Sequence, residues 1–380
     1  MLEDRLKIQA LNIHKKNKGK IEISPKVKVS GKNFKLLYTP GVAEVAREIA
    51  KDPKKALDYT LKGRSVAIIS DGSRTLGVGD SIPEASLPVM EGKSLLLKEL
   101  SGVDAYPLCL KTKSKDEIVR TIEILSSTFS VFNLEDIVSP KSLEIRETLE
   151  KKKFLVFHDD EQGTAIVVLA GLLNALKFLG KRLENIKVCL AGSGTAGYGV
   201  FKILNYIGIK NIVVFDSKGI IFKGRKGDNR FQQEIAQFTN PERLKGGKRE
   251  AILNSDVFIG LTGVKNLLSY EDIKLMKEYP IIFALSNPEP EIYPKEIERI
   301  TKSYVFASGR PDFQNQVNNV LVFPGVIKGM LEFKKQINLD LQVKIAKAIG
   351  GLVKFPKKDK LLPSPFNKEL VKIIVDCFLN

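Results

Sequence analysis

Four carboxylates stand in two adjacent pairs, and each pair directly follows a short apolar run. The pairs are Glu135 with Asp136 and Asp159 with Asp160. Oxygen ligands of this kind suit Mg²⁺ or Mn²⁺ better than zinc. Adjacent residues at a strand end point in different directions, so we do not expect all four to be ligands. Solvated loop acids or helix caps are the alternative interpretation of either pair alone.

One helix later the chain contains a glycine-rich turn of the G-x-G-x-x-G type. Its residues are Gly192, Ser193, Gly194, Thr195, Ala196 and Gly197. An apolar run precedes the turn and a helical pattern follows it, which is the context of a dinucleotide-binding βαβ unit. Gly192 permits the tight turn, Gly194 lets the backbone approach a pyrophosphate at the helix N-terminus, and Gly197 permits close helix packing. A tight connection without a ligand is the alternative.

The acidic residue of this unit is Asp216, about 20 residues beyond the turn and at the end of the next apolar run. Its carboxylate can accept a hydrogen bond from a ribose hydroxyl, which favours NAD. Lys218 and Lys223 follow nearby and could offset a ribose phosphate, so NADP stays open. The glycine-rich, basic segment from 218 to 230 predicts an exposed loop.

A lysine on an apolar helical face is the candidate general base. Lys93 shares that face with Leu96, Leu97 and Leu100. Burial of an ammonium lowers its pKa and can make it a base near neutral pH, whereas a lysine snorkelling from an apolar surface is the alternative. Tyr38 could donate a proton if it lay next to Lys93.

The elements that position these residues alternate between strands and helices. Apolar runs predict strands at 65–69, 129–132, 154–157, 211–215, 257–261, 281–285 and 304–307, and a helix at 164–179. Such alternation predicts an α/β fold with parallel sheets, one of them in a Rossmann-type dinucleotide-binding domain. Because parallel sheets bind ligands at the carboxyl ends of their strands, Arg74 and both acidic pairs should share one edge.

Composition excludes several classes of protein. The chain has 380 residues, is 43% hydrophobic and has a formal net charge of +17. Its 61 basic residues are spread along the chain rather than clustered, so we expect no nucleic-acid partner. The longest apolar stretch is too short to cross a bilayer, so no membrane span is expected. Without a secretory signal, and with three scattered cysteines, the chain is predicted to be cytoplasmic.

Taken together, these segments resemble the malic enzyme family in its short prokaryotic form. The resemblance covers roughly residues 35 to 375. It rests on the segments 37–43, 70–74, 88–93, 133–137, 158–165, 192–197, 286–288 and 316–320, which occur in the family's order and spacing. Two loops, 80–86 and 261–267, differ from the family's usual pattern.

The resemblance implies a role for each candidate residue. Tyr38 would be the general acid and Lys93 the general base, with Asp159 assisting. The divalent metal would be held by Glu135, Asp136 and Asp160. The substrate would be bound by Arg74, Asn287 and Asn319, and Asn287 and Asn318 would lie near the nicotinamide.

The resemblance also implies a reaction and a partner. Malate would be oxidatively decarboxylated to pyruvate and CO₂ with reduction of NAD or NADP, in a homodimer. We predict a substrate and metal domain at 1–163, a Rossmann-type domain at 164–310 and a helical C-terminal region at 311–380. The alternatives are a metal-independent 2-hydroxy acid dehydrogenase, whose His–Asp base could use only His158, and a non-catalytic nucleotide-sensing protein.

Overall fold

The computed structural model describes residues 2–379, with side chains from residue 5, and contains two sheets. The first has four parallel strands in the order β2-β1-β3-β4, and the second has six in the order β10-β9-β8-β5-β6-β7. The strands are β1 Ser65–Ser70, β2 Asp104–Cys109, β3 Val131–Leu134, β4 Leu155–His158, β5 Lys187–Ala191, β6 Asn211–Asp216, β7 Gly219–Ile220, β8 Val257–Gly260, β9 Ile281–Ala284 and β10 Val305–Ser308. This confirms the predicted α/β fold.

Helices cover both sheets. The helices are α1 Leu2–Asn17, α2 Phe34–Leu37, α3 Val42–Lys51, α4 Ala56–Tyr59, α5 Leu87–Ser101, α6 Lys115–Leu125, α7 Lys141–Lys151, α8 Thr164–Leu179, α9 Thr195–Tyr206, α10 Arg230–Phe238, α11 Lys248–Ile252, α12 Tyr270–Ile273, α13 Pro294–Ile297, α14 Phe323–Phe333, α15 Leu339–Gly351 and α16 Leu370–Asp376. The largest core cluster runs from the first sheet through α8 and α9 to α14, α15 and α16.

The first sheet has one strand that the sequence pattern does not predict. Strand β2 pairs in parallel with β1 at the sheet edge, and Pro107 lies within it. Proline lacks a backbone N–H, so it is tolerated on an edge strand but breaks the pattern of a central one. Its side chains are only half-buried, which also weakens the apolar signal.

The second sheet is parallel except at one edge. Strand β7 is two residues long and pairs antiparallel with β6, within a segment predicted to be loop. The C-terminal helices pack back on both units, with α14 against α5 and α15 against α8. The division of the chain near residues 163 and 310 stays a prediction.

Helix α8 is the apolar helix at the centre of the molecule. Together with the preceding turn it forms a helical segment, Asp159–Leu179, long and apolar enough by composition to cross a membrane. Most of that segment is buried inside the protein, against α15 and α9. Its apolar character is therefore that of a core helix.

The N-terminal segment, 5–64, contrasts with the rest of the chain. None of its side chains is buried, although it includes an amphipathic helix, α3. Its large exposed apolar side chains include Leu11, Ile23, Phe34, Leu36 and Tyr38. An exposed apolar surface of this extent is typical of an interface rather than of a free surface.

The contact between α9 and the turn before α8 predicts a stability effect. A Cβ added at Gly199 of α9 would lie 2.4 Å from the Glu161 carbonyl oxygen, which is backbone and cannot rotate away. We expect Gly199→Ala to lower the free energy of unfolding by about 1–3 kcal/mol through overpacking. The thermal midpoint of unfolding should fall accordingly. Gly351→Ala is the matched control, because no atom lies within 4 Å of its added Cβ. Equal midpoints for the two variants would contradict the prediction.

Candidate active site

Four acidic residues follow β3 and β4 at the carboxyl edge of the first sheet; we call Glu135, Asp136, Asp159 and Asp160 the acid cluster. The backbone N–H of Asp136 donates to Asp160 Oδ2 at 3.0 Å, so the pairs after β3 and β4 are in contact. Asp159 and Asp160 begin a five-residue π-helical turn, Asp159–Gly163. A Cβ at Gly163 would lie 1.9 Å from Asp159 Oδ1, so glycine leaves the room that this carboxylate occupies.

Lys93 reaches the acid cluster from the buried face of α5. Its ammonium donates to Glu135 and to Asp159, and its side chain is only 7% exposed. The predicted burial is confirmed, but the predicted fall in its pKa is wrong for this arrangement. Burial acts to lower the pKa of Lys93, whereas the charges and hydrogen bonds of the two carboxylates outweigh it and raise the pKa above its ordinary value.

The acid cluster carries more negative charge than the protein offsets. Burial is the largest cause that raises the pKa of Glu135, Asp136 and Asp159, and repulsion from neighbouring carboxylates adds to it. For Asp136 the pKa rises to about 7. Buried and half-buried carboxylates with raised pKa values of this kind are typical of a site that is completed by a cation.

The chemistry of the acid cluster fits a hard divalent cation. All its side-chain donors are carboxylate oxygens, and Asp159 Oδ1 is buried without a hydrogen-bond partner among the described residues. In the arrangement seen, Glu135 contacts Lys93 and Asp160 accepts from Asp136. Within 2–379, no three His, Cys, Asp or Glu side chains are gathered closely enough to hold an ion. Binding of an ion by three of these carboxylates would therefore require them to reorient.

Of the amide side chains predicted for the substrate and nicotinamide, Asn319 lies at the acid cluster. Its Nδ2 donates to the Asp159 carbonyl oxygen at 3.1 Å. Asn287 and Asn318 lie instead beside Gly309, which directly follows β10 of the second sheet. Asn318 Nδ2 donates to the Gly309 carbonyl oxygen at 3.3 Å, and a Cβ at Gly309 would lie 2.8 Å from Asn287 Nδ2.

The glycine turn opens onto a cavity of about 500 Å³ between the two sheets. Gly192 has φ +106°, a backbone conformation that favours glycine, and a Cβ at Gly197 would lie 2.0 Å from the Gly192 carbonyl oxygen. At Gly194 the nearest atom would be 3.9 Å away, which leaves open space in front of the N-terminus of α9. Arg74, from the edge after β1, lines the same cavity.

Asp216 lies where a dinucleotide fold requires an acid, but its acceptors are already occupied. Arg225 donates to both of its oxygens, at 2.8 and 2.7 Å. Ser193, Gln232 and the backbone of Lys218 donate as well. Segment 218–230 therefore contains a buried arginine, although its composition predicts only exposed loop.

Tyr38 is not part of this constellation in the single chain. Its side chain is 62% exposed at the end of α2, and its ring contacts Phe34. In the described part of the chain, no hydrogen bond joins its hydroxyl to Lys93, whose partners are Glu135 and Asp159.

Comparisons with known proteins agree with this geometry. Residues 18–116 match the malic enzyme N-terminal domain and residues 161–373 match the malic enzyme NAD-binding domain. The chain belongs to the malic enzyme family. It is 45% identical over 375 residues to the bifunctional malic/malolactic enzyme of Bacillus subtilis, which covers 97% of this chain and 91% of that protein.

Two further relatives differ in their named coenzyme. The NADP-dependent malic enzyme of Halomonas elongata is 39% identical over 367 residues, covering 95% of this chain and 86% of that protein. The crystal structure of an NAD-dependent malic enzyme from Thermotoga maritima superposes with a TM-score of 0.93 at 41% identity. It covers 97% of this chain and 98% of that one.

In this member of the malic enzyme family, the structure adds residues that sequence reasoning missed. Asn133 donates to Glu135 at 2.9 Å, and the Phe323 ring centroid lies 4.6 Å from the Lys93 ammonium. Glu291 is fully buried and accepts from Ser286 and Thr262, so it joins the loops after β8 and β9. No sequence signal marked Glu291, because it lies in a polar, proline-rich stretch beside Glu289 and Pro290.

Proposed function

We propose that this protein oxidatively decarboxylates malate to pyruvate and CO₂, with reduction of NAD⁺ or NADP⁺ and with a divalent metal. One observation carries the proposal: a buried lysine between two carboxylates stands at a sheet edge from which Arg74 reaches the cavity of the glycine turn. A base and a cation-type site thus stand at the sheet edge whose Arg74 lines the cavity of the dinucleotide-type turn.

The residues divide the work on the substrate. Arg74, Asn287 and Asn319 bind the carboxylates and the oxygen at C2 of malate. Lys93 removes the proton of the C2 hydroxyl as hydride leaves C2. Asp159 holds the Lys93 side chain in place, and its charge stabilises the ammonium that forms. Tyr38 then supplies the proton that C3 requires after CO₂ has left.

Glu135, Asp136 and Asp160 are the residues that would hold the metal. A divalent ion there would supply Lewis-acid polarisation of the C2 oxygen, which would favour loss of CO₂ from the oxidised substrate. If Glu135 held this cation, it would no longer be one of the two anions that stabilise Lys93 as an ammonium. With Glu135 engaged in this way, the pKa of Lys93 would be raised less, which is consistent with its role as a base.

The two alternatives have less support. A simple 2-hydroxy acid dehydrogenase needs a His–Asp base, but burial lowers the pKa of His158 to about 4. Neither of its ring nitrogens has a hydrogen-bond partner among the described residues. A nucleotide sensor would have no use for a buried lysine held between two carboxylates at the edge of the first sheet.

The test is to incubate the protein with malate, Mn²⁺ and NAD⁺ or NADP⁺. We expect reduced coenzyme, pyruvate and CO₂ in equal amounts, and loss of the reaction when EDTA removes the metal. Accumulation of oxaloacetate without CO₂ would support the dehydrogenase instead. Coenzyme binding without turnover would support the sensor.

A homodimer accounts for the exposed N-terminal segment and for the position of Tyr38. The large apolar side chains that segment 5–64 leaves exposed are covered most simply by a second copy of the chain, because two-fold interfaces are self-complementary. We propose that this pairing brings Tyr38 of one copy to Lys93 of the other.

The free cysteines Cys109, Cys189 and Cys377 are consistent with a reducing, cytoplasmic location.

A further inference from the structure

The carboxylate of Asp216 has no acceptor left for a ribose hydroxyl. It receives hydrogen bonds from Ser193 Oγ at 2.8 Å, Gln232 Nε2 at 3.1 Å, the backbone N–H of Lys218 at 2.9 Å and both terminal nitrogens of Arg225. A carboxylate has about four lone-pair positions, so these donors saturate it. The acid that normally reads the adenosine ribose is engaged by the protein itself.

Arg225 is held in this position from its other side. Its Nε donates to Asp228 at 2.9 Å and its Nη1 also donates to the Gly219 carbonyl oxygen at 2.9 Å. The side chain is only 6% exposed, and that of Asp228 only 2%. Its guanidinium thus bridges two aspartates. Arg225 therefore forms two largely buried salt bridges, whereas the nearby Lys223 is exposed to solvent.

The bridge lies at the adenosine end of the cavity, since Asp216 and Ser217 line it together with Gly192, Ser193 and Gly194. An Asp216 with free acceptors would bind the ribose diol of NAD⁺ and repel the 2′-phosphate of NADP⁺. Pairing with Arg225 weakens both effects, because it fills the acceptors and offsets the charge.

We propose that Arg225 determines coenzyme selectivity by occupying Asp216, so that the protein discriminates only weakly between NAD⁺ and NADP⁺. Asp228 sets the balance by holding Arg225 against release toward a phosphate. This inference rests on the proposed function for its kinetic consequence, although the binding of the coenzyme's adenosine half does not require turnover.

The test compares wild type with Arg225→Gln, Asp228→Asn and the control Lys210→Gln, an exposed lysine directly before β6 and therefore at the opposite end of that strand from Asp216. The probes are adenosine 5′-monophosphate and adenosine 2′,5′-bisphosphate, measured by titration calorimetry, followed by kcat/KM with NAD⁺ and NADP⁺. Arg225→Gln should shift the binding ratio at least about tenfold toward the probe without the 2′-phosphate. Asp228→Asn should shift it the opposite way, because it releases Arg225 toward the phosphate.

The two opposed shifts separate selectivity from folding. A merely structural role would change the affinities for both probes in the same direction in both variants, and that result would overturn the proposal. An Arg225→Gln or Asp228→Asn ratio that stays within about twofold of wild type and of Lys210→Gln would also overturn it. If malate is not turned over but the probe ratios shift as expected, the proposed reaction fails while the role of Arg225 stands.

Discussion

Lys93→Ala should lower kcat for malate oxidation by about 10²–10⁴-fold, the usual contribution of a positioned general base. The physical reason is that Lys93 is the only cation that donates to the acid cluster within the described residues, and it lies in contact with the carboxylates proposed to flank the substrate. We expect KM for malate to change much less than kcat, because Arg74 and Asn319 supply the binding contacts. Steady-state kinetics with Mn²⁺ and either coenzyme measures both quantities.

Loss of Lys93 also leaves two buried carboxylates without their partner, so folding needs a separate measurement. Removing one member of a buried ion pair costs about 3–5 kcal/mol, which the thermal midpoint of unfolding would report. Lys98→Ala is the matched control, because Lys98 lies on the same helix with a 56% exposed side chain paired to Asp104. A folded Lys93→Ala variant that retains the kcat of Lys98→Ala would exclude the base role.

Mixed dimers should recover activity that neither parent has. Tyr38→Phe is expected to lower kcat about 10²–10⁴-fold, because the phenol hydroxyl is the proton donor. If Tyr38 of one copy serves Lys93 of the other, a dimer of one Tyr38→Phe chain and one Lys93→Ala chain contains one intact site and one doubly altered site. Such dimers, isolated by two different affinity tags, should show about half of the wild-type activity.

The control pairs Lys93→Ala with Asp159→Asn. These two residues are in contact within one chain, so every site of that mixed dimer lacks one of them and no activity should return. Inactive dimers in both mixtures would mean that Tyr38 acts within its own chain or not at all. If the molecular mass measured in solution is that of a single chain, the proposed dimer interface does not exist.

The strand pattern was predictable because the inner strands of both sheets are largely apolar runs. The helix predicted at 164–179 has those bounds in the structure. Parallel pairing then places Asp136 and Asp160 on one edge. The edge strand β2 was missed because Pro107 interrupts its pattern and its faces are only half-buried. Local sequence is informative where burial is complete and weak at edges.

The electrostatics of the site could not be predicted in the same way. Burial of Lys93 follows from spacing on α5, but the sign of its pKa change depends on Glu135 and Asp159, which lie 42 and 66 residues away in the chain. Arg225 illustrates the same limit. It lies in a glycine- and lysine-rich segment, and the sequence does not indicate that its side chain is largely buried in salt bridges with Asp216 and Asp228. Tyr38 shows a third limit, because its side chain is 62% exposed in the single chain and the lysine proposed to lie beside it belongs to a second copy.

The π-helical turn that holds Asp159 and Asp160 continues directly into α8. Two carboxylates of the cation-type site are thus rigidly attached to the central helix against which α9, the helix of the glycine turn, packs. A displacement of that helix on coenzyme binding would carry both carboxylates with it. Linkage is reciprocal, so whatever factor the dinucleotide contributes to metal affinity, the metal returns to the dinucleotide. Order of addition would then leave the ternary complex equally stable.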